Sequence, residues 1–346
     1  MKTPPCSMHL AFALIIGFSL GLLLSAYRRV LPHCTCAYPS SISDSRPTSR
    51  SSVPLTEGDN STKKVHYDAP SRGYIDIDEG TTNIDQLYKK LVIVTAFSQN
   101  HFKEAQGIIF TAQKTMPNKK IVVYDLGLEK DTKEEVKSYC NVELREFPFN
   151  MYPKFVSNLL VYSWKPIIIN ITLNEFGAIY WGDASVRFKK SLKELLPAAK
   201  RHHGYMALIH SFDPKVNSSI IHQYFYTHPE MFKFLNINRT RYYAEKNSSP
   251  HLTANRQLII NSSTVQSKII QPLVECAMQL ECISPEGSKK GEHRFDASAL
   301  ALIVYKNLKH EWTPENNSND IFNEVIDIHR GNTNRYKPKQ CRRKHQ

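Results

Sequence analysis

LVIVTAFSQNHFKEAQGIIFTAQKTMPNKKIVVYDLGL, residues 91–128, decides the fold class of this chain. Its first seven residues, LVIVTAF, are apolar and rich in β-branching, the pattern of a parallel strand covered on both faces. A helical stretch follows over 101–115 and stops at Met116-Pro117-Asn118. KIVVYDLGL then predicts a second strand with Asp125 at its carboxyl end. Downstream, a helix over 130–139 leads to VELREF (142–147), a third strand. This alternation implies right-handed crossovers and a parallel sheet flanked by helices, a Rossmann-like α/β fold.

The same reading extends toward the C-terminus. Residues 164–176 read as a helix, and GAIYWGDASVRF (177–188) as a strand running into a loop at Gly182-Asp183. YMALIHS (205–211) and QLIINS (257–262) are further strands. VQSKIIQPLVECAMQL (265–280) and DASALALIVYKNL (296–308) are late helices, and VIDIHRG (325–331) is a last short strand.

Toward the N-terminus the character changes. Residues 38–64, YPSSISDSRPTSRSSVPLTEGDNSTKK, are dominated by Ser, Thr and Pro, the composition of a flexible stem. Residues 10–26, LAFALIIGFSLGLLLSA, carry no charge. As a helix they reach about 25 Å, enough to span a bilayer core. A membrane anchor is preferred to a cleaved signal peptide, because the run exceeds a usual signal core. Thr35-Cys36-Ala37 is the late cleavage alternative. Gly17 and Gly21 form a GxxxG pair, a hint of a homodimer through the span.

Seven N-x-Ser/Thr sequons open at Asn60, Asn170, Asn217, Asn238, Asn247, Asn261 and Asn316. N-glycosylation is lumenal, so the sequons place the C-terminal part in a lumen, against a small opposing bias from Arg28 and Arg29. The expected organisation is a cytoplasmic tail (1–8), a transmembrane signal-anchor (9–27), a stem (28–85), an α/β domain (86–335) and a basic tail (336–346). The expected location is the Golgi or another membrane of the secretory pathway. Seven cysteines suit that compartment, with Cys276 and Cys282 spaced to close a small loop and Cys140 and Cys341 able to pair.

The net charge is +13 and the pI is near 9.3. Nucleic-acid binding, an anionic substrate and a merely basic surface all fit those values. No helix-turn-helix, zinc-finger or RNA-binding signature is present, so a nucleic-acid partner is not expected. There is also no G-x-S-x-G, Walker loop, G-x-G-x-x-G or H-E-x-x-H, which argues against hydrolases, P-loop enzymes, dehydrogenases and zinc proteases.

Ligands of open α/β sheets bind beyond the carboxyl ends of the strands. Ser98, Asp125 and Asp183 fall there by pattern. Gly182-Asp183-Ala184-Ser185 sets a carboxylate directly after a buried strand, with a hydroxyl two residues on. A D-x-D pair at such a place holds a divalent cation against a diphosphate, because hard cations take oxygen ligands. Here the second carboxylate is a hydroxyl, and Asp183 also suits an Asx turn or a helix cap. His293-Arg294-Phe295-Asp296 opens a helix, so Asp296 reads either as a cap or as a carboxylate aimed at the reacting sugar or acceptor. His293 is the companion catalytic candidate. Lys165, Arg187, Arg294 and Lys337 are candidates for neutralising phosphates.

The blocks LVIVTAFSQNHFKEA, IVVYDLGL, YSWKPIII, GAIYWGDASVRF and HRFDASAL resemble an animal family of single-pass membrane proteins of unknown function. That family is similar to nucleotide-diphospho-sugar transferases of glycosyltransferase A-type fold. The resemblance spans residues 88–308. It implies transfer of a sugar from a nucleotide-diphosphate donor to a glycan or glycoprotein acceptor. It implies a manganese or magnesium ion on Asp183 and Ser185, and Asp296 near the acceptor. Ile328-His329-Arg330-Gly331 with Tyr336-Lys337-Pro338 resembles the H-x-x-G and K-P-W ending of glycogenin-like transferases. That likeness implies His329 on the metal and Lys337 on the diphosphate. This sequence departs from the pattern at Ser185, at Ala297, where the family has Gln, and in the shortened stretch 287–292. A non-catalytic glycoprotein of the same fold is therefore the alternative.

Overall fold

A computed structural model describes residues 75, 77, 82–209, 223–245, 248–249, 252–309, 319–331 and 334–341. Among these residues no helix is long and apolar enough to cross a membrane, and the expected span over 9–27 lies outside them.

The elements follow in the order α1 (Ile84–Lys90), β1 (Val92–Phe97), α2 (Phe102–Thr115), β2 (Ile121–Asp125), α3 (Lys130–Ser138) and β3 (Val142–Glu146). Next come α4 (Trp164–Phe176), β4 (Ala178–Gly182), β5 (Val186–Phe188), α5 (Leu196–Arg201) and β6 (Tyr205–Ile209). Then α6 (Pro229–Phe234), α7 (Arg239–Ala244), β7 (Leu252–Ile260), α8 (Ser263–Val265), α9 (Gln271–Ala277) and α10 (Leu280–Ile283) lead to α11 (Phe295–Leu308), α12 (Asn319–Val325) and β8 (Ile326–Ile328).

Six strands form the central sheet in the order β3-β2-β1-β4-β7-β6. The pairs β3–β2, β2–β1 and β1–β4 are parallel, as the alternation predicts. β7 is antiparallel to both of its neighbours, so the sheet is mostly parallel rather than wholly so. β7 therefore enters from the rim where β1, β2 and β4 end. Its early residues run past the end of β4: Gly182 pairs with Arg256, and the Asp183 N–H donates to the Asn255 carbonyl at 2.9 Å.

Strand side chains alternate between two cores, as a period of two requires. Val92, Val94, Tyr124, Ile179 and Trp181 join the core under α4, α9 and α11. Ile93, Phe97, Val123, Ala178 and Tyr180 join the core under α1, α2, α5 and α12. Both faces of the sheet are covered, which is why these strands read as unbroken apolar runs.

Between α8 and α9, Gln266–Ile270 winds as a π-helix. Pro272 follows, lacking the N–H that would bond the Lys268 carbonyl in an α-ladder. The Asn307 side chain donates to that carbonyl instead, at 2.7 Å.

β5 and β8 form a separate antiparallel pair beside the sheet. From β8 the chain continues as a strap over α2. Lys339 bonds Gln113, Gln340 bridges Tyr139, and Cys341 is disulfide-bonded to Cys140. The expected basic tail over 336–346 belongs to this strap as far as residue 341. Tyr336 is buried, and the strap is held at its end by a covalent bond. At the other limit, Ile75 and Ile77 already lie in the core, ahead of the expected domain boundary at residue 86. Cys276 and Cys282 form the second disulfide.

Candidate functional site

Three charged side chains meet at the rim beyond β4. Asp183 follows β4 directly, Lys165 sits in the first turn of α4, and Asp296 sits in the first turn of α11. The Lys165 ammonium lies 2.8 Å from Asp296 Oδ2 and 3.2 Å from Asp183 Oδ1. Trp181 Nε1–H donates to Asp183 Oδ1 at 2.9 Å. The side chains of Lys165 and Asp296 are 5% and 9% exposed, whereas that of Asp183 is 34% exposed. The cluster therefore presents one carboxylate outward, backed by a buried ammonium and a buried carboxylate.

Local structure explains the convergence. Tyr162 and Phe295 stand shortly before Lys165 and Asp296, and both have left-handed backbones, with φ of 59° and 43°. Such angles cost about 1–3 kcal/mol for residues other than glycine and persist where packing dictates them. The two rings pack against each other at 5.9 Å, and Phe295 also meets His293 at 4.8 Å. Each strained aromatic redirects the chain so that the following helix turn delivers its charge to the same point. The ammonium also lies 5.5–5.9 Å from the ring centres of Tyr162, Trp164 and Trp181, within cation–π range.

The electrostatics follow from this packing. Burial opposes the Lys165 charge, but Asp183 and then Asp296 outweigh it and hold the amine above the ordinary lysine value. Burial drives the Asp296 carboxyl above the usual carboxylate range, Lys165 pulls it back, and Asp183 pushes it up again. Burial likewise raises the Tyr162 phenol, with help from Asp296.

The other sequence candidates lie elsewhere or are already engaged. Asp125 is a correction. Its Oδ1 accepts from the Gly127 and Leu128 N–H groups at 2.8 and 2.7 Å, and its Oδ2 pairs with Lys133 at 2.7 Å. At 4% exposure it closes the turn after β2, with both carboxylate oxygens engaged. His293 is a second correction. Its Nδ1 accepts from the His228 N–H at 3.1 Å, and its Nε2 contacts the Ile283 carbonyl at 3.0 Å. Burial first, then His228, lowers its pKa to about 4, so it ties α10 to α6 as a neutral ring. Lys165 neutralises carboxylates rather than phosphates.

Arg187 is buried against α2, where its guanidinium donates to the Ala184, Val186 and Glu104 carbonyls. Arg294 lies over the Tyr226 ring, and Lys337 is exposed on the strap. Ser98 Oγ donates to Asn100 Oδ1 at the start of the turn into α2. Of the sequons, Asn238 is exposed and caps α7, and Asn170 is half-buried on α4. Asn261 is corrected: it is 4% exposed and its amide oxygen accepts from Gln266, so the folded site has no room for a glycan. Asn60, Asn217, Asn247 and Asn316 lie outside the described residues.

The residues expected to hold a metal do not form a cation site. Ser185 is 4% exposed, although its carbonyl accepts from the His329 N–H at 2.8 Å. The His329 ring is turned to Asp327 at 3.1 Å. Asp183 already carries an ammonium. Among the described residues no group of three or more His, Cys, Asp or Glu side chains is placed to hold a metal ion. The cation at this strand end is Lys165, which sequence reasoning assigned to a different task. The signal was present: Lys165 is the sole charge in the otherwise apolar run WKPIIINITLN.

A family described as "Protein of unknown function (DUF1647)" matches residues 73–170. No curated protein matches in sequence. Solved structures to which this chain is similar include the apo form of WbbM, a bifunctional glycosyltransferase, at 15% identity and a TM-score of 0.41. That match covers 63% of this chain but only 38% of WbbM. The galactosyltransferase LgtC, bound to donor and acceptor sugar analogues, matches at 12% identity and a TM-score of 0.38, covering 69% of this chain and 87% of LgtC. Mouse xyloside xylosyltransferase 1 matches at 10% identity and 0.39, covering 63% and 82%.

Proposed function

We propose that the chain is a glycosyltransferase-like protein whose Asp183–Lys165–Asp296 cluster receives the sugar of a nucleotide-diphosphate donor. The observation that carries this reading is the buried Lys165 ammonium, shared by two carboxylates at the carboxyl rim of a parallel sheet. Sugar hydroxyls both donate and accept. Asp183 offers acceptor oxygens, and Lys165 offers an N–H donor behind them. A water-poor pocket strengthens such charge-assisted bonds. The C1–phosphate bond of the donor would break, releasing the nucleoside diphosphate. A bond from C1 to an acceptor hydroxyl would form, and the hydroxyl proton would pass to solvent or leaving phosphate.

The residues present support a donor site without a bound metal ion, because the positive charge beside Asp183 is built into the chain. No step here runs through a metal. The apolar segment over 10–26 would hold the domain at a membrane of the secretory pathway, with exposed Asn238 available for a lumenal glycan.

The test is a calorimetric screen of the full chain against nucleotide-diphosphate sugars, with and without a chelator, alongside an assay for released nucleoside diphosphate. Binding raises apparent stability with the logarithm of ligand excess over Kd. We expect one donor to bind equally well with chelator present, and Asp183→Asn to weaken it at least about tenfold. No donor binding, or binding untouched by Asp183→Asn, overturns the proposal. Binding without turnover selects the non-catalytic alternative, for which Ser185 and Ala297 supply the motive.

A further inference from the structure

A second cavity of about 560 Å³ lies between α2, the β5–β8 pair and the C-terminal strap. Its lining includes Lys114, Arg187, Lys189 and Arg335, and no part of the Asp183 cluster. Arg187 is its floor. That residue is 3% exposed, and its guanidinium lies flat on α2 where Gly107 leaves the helix bare. A Cβ at position 107 would fall 2.1 Å from Arg187 Cζ, so the slot exists because that residue is glycine. The Tyr336 ring covers the other side at 4.7 Å.

Three backbone carbonyls accept from this guanidinium, and its buried Nε has no partner. No carboxylate among the described residues forms a close ion pair with it, nor with Lys114, Lys189 or Arg335; Glu104 acts on Arg187, and Asp327 on Lys189, only from a longer distance. The carboxylate of the rim, Asp327, is taken up by His329 at 3.1 Å. A buried cation with no carboxylate in close contact is costly, and three further cations beside it add repulsion. An incoming anion would relieve both. The volume exceeds that of a lone oxyanion and falls within the range of ordinary small-molecule sites.

We propose that this groove is a second binding site, taking an esterified phosphate or sulfate group with Arg187 beneath it and Lys114, Lys189 and Arg335 around it. The site is separate from the sugar cluster and stands whether or not that reading holds. A sulfated sugar and a phosphate ester share the chemistry and differ in the body attached to the anion.

The test is titration of the full chain at low salt with pyrophosphate, a sulfated disaccharide and the same disaccharide without sulfate. The expected result is saturable binding of at least one anion, none of the neutral sugar, and a steep fall in affinity with added salt. Lys114→Gln with Lys189→Gln changes only exposed side chains and should weaken binding about tenfold. Gly107→Ala should weaken it by displacing the guanidinium, and Asp183→Asn should leave it unchanged. Absence of anion binding, binding unaffected by the double variant, or binding lost in Asp183→Asn would each overturn the proposal.

Discussion

Asp125 and Asp183 end neighbouring regions of the same sheet, yet the fold treats them in opposite ways. Each follows a buried apolar strand, β2 or β4. Behind Asp125 the chain supplies two N–H groups, from Gly127 and Leu128, and Lys133 takes the remaining oxygen. Nothing of that carboxylate is left for a ligand. Behind Asp183 the chain turns into β5, and the partners are Trp181 from the strand beneath it and Lys165 from α4 alongside. One aspartate is consumed by its own loop, whereas the other is held from the side and left one-third exposed. Position at a strand end is therefore no measure of availability.

The sharpest test of this contrast is Lys165→Met. It strips the buried partner from Asp296 and should cost about 3–5 kcal/mol of stability, read from denaturant unfolding. Adding Asp296→Leu should recover much of that loss. No recovery would mean that the cluster is held by something other than charge pairing.

His293 supplies a pH control from beside Asp296. Its pKa falls from 6.5 to about 4 on folding, so the folded state binds fewer protons than the unfolded chain. Stability from this ring is complete above pH 6.5 and is lost as pH falls toward 4, by about 3 kcal/mol. His293→Gln should flatten that part of the pH profile.

Asp125→Ala should cost about 2 kcal/mol, through two lost turn bonds and the Lys133 pair, and leave donor binding intact. Loss of donor binding there would erase the contrast. Asp183→Asn should change stability least, by under about 1 kcal/mol, because the group is partly solvated. It should nevertheless weaken donor binding at least about tenfold.

Much of the fold was legible because parallel strands covered on both faces leave a plain signature. β1, β2, β3 and β4, with α2 and α4 between them, fall where the apolar runs place them. The direction of β7 was not legible, since its early half, Thr253 to Arg256, is polar and half-buried apart from Ala254 and carries no orientation signal. The loop at Gly182-Asp183 was legible, but not that the chain resumes as a strand, β5, three residues later.

Within the site, Asp183 and Asp296 were found from their places after a strand and before a helix. Their meeting through Lys165 depends on two left-handed aromatic residues, a conformation that no residue type announces. The closure around Asp125 had a visible cue, an Asp two residues before Gly, which is an Asx-turn pattern. Arg187 was expected at the donor site, but its partners are backbone carbonyls, silent in a sequence, and they seat it in a separate groove.

The Cys140–Cys341 bond joins residues 201 apart and so makes a covalent ring of everything from β3 to the strap. Closing so large a circle removes about 5 kcal/mol of chain entropy from the unfolded state. A protease cut anywhere inside it would yield two fragments that still migrate as one molecule until a thiol is added. Shortening the chain by its last six residues would open the circle and free the strap from α2, so a harmless-looking truncation would reach deep into the domain.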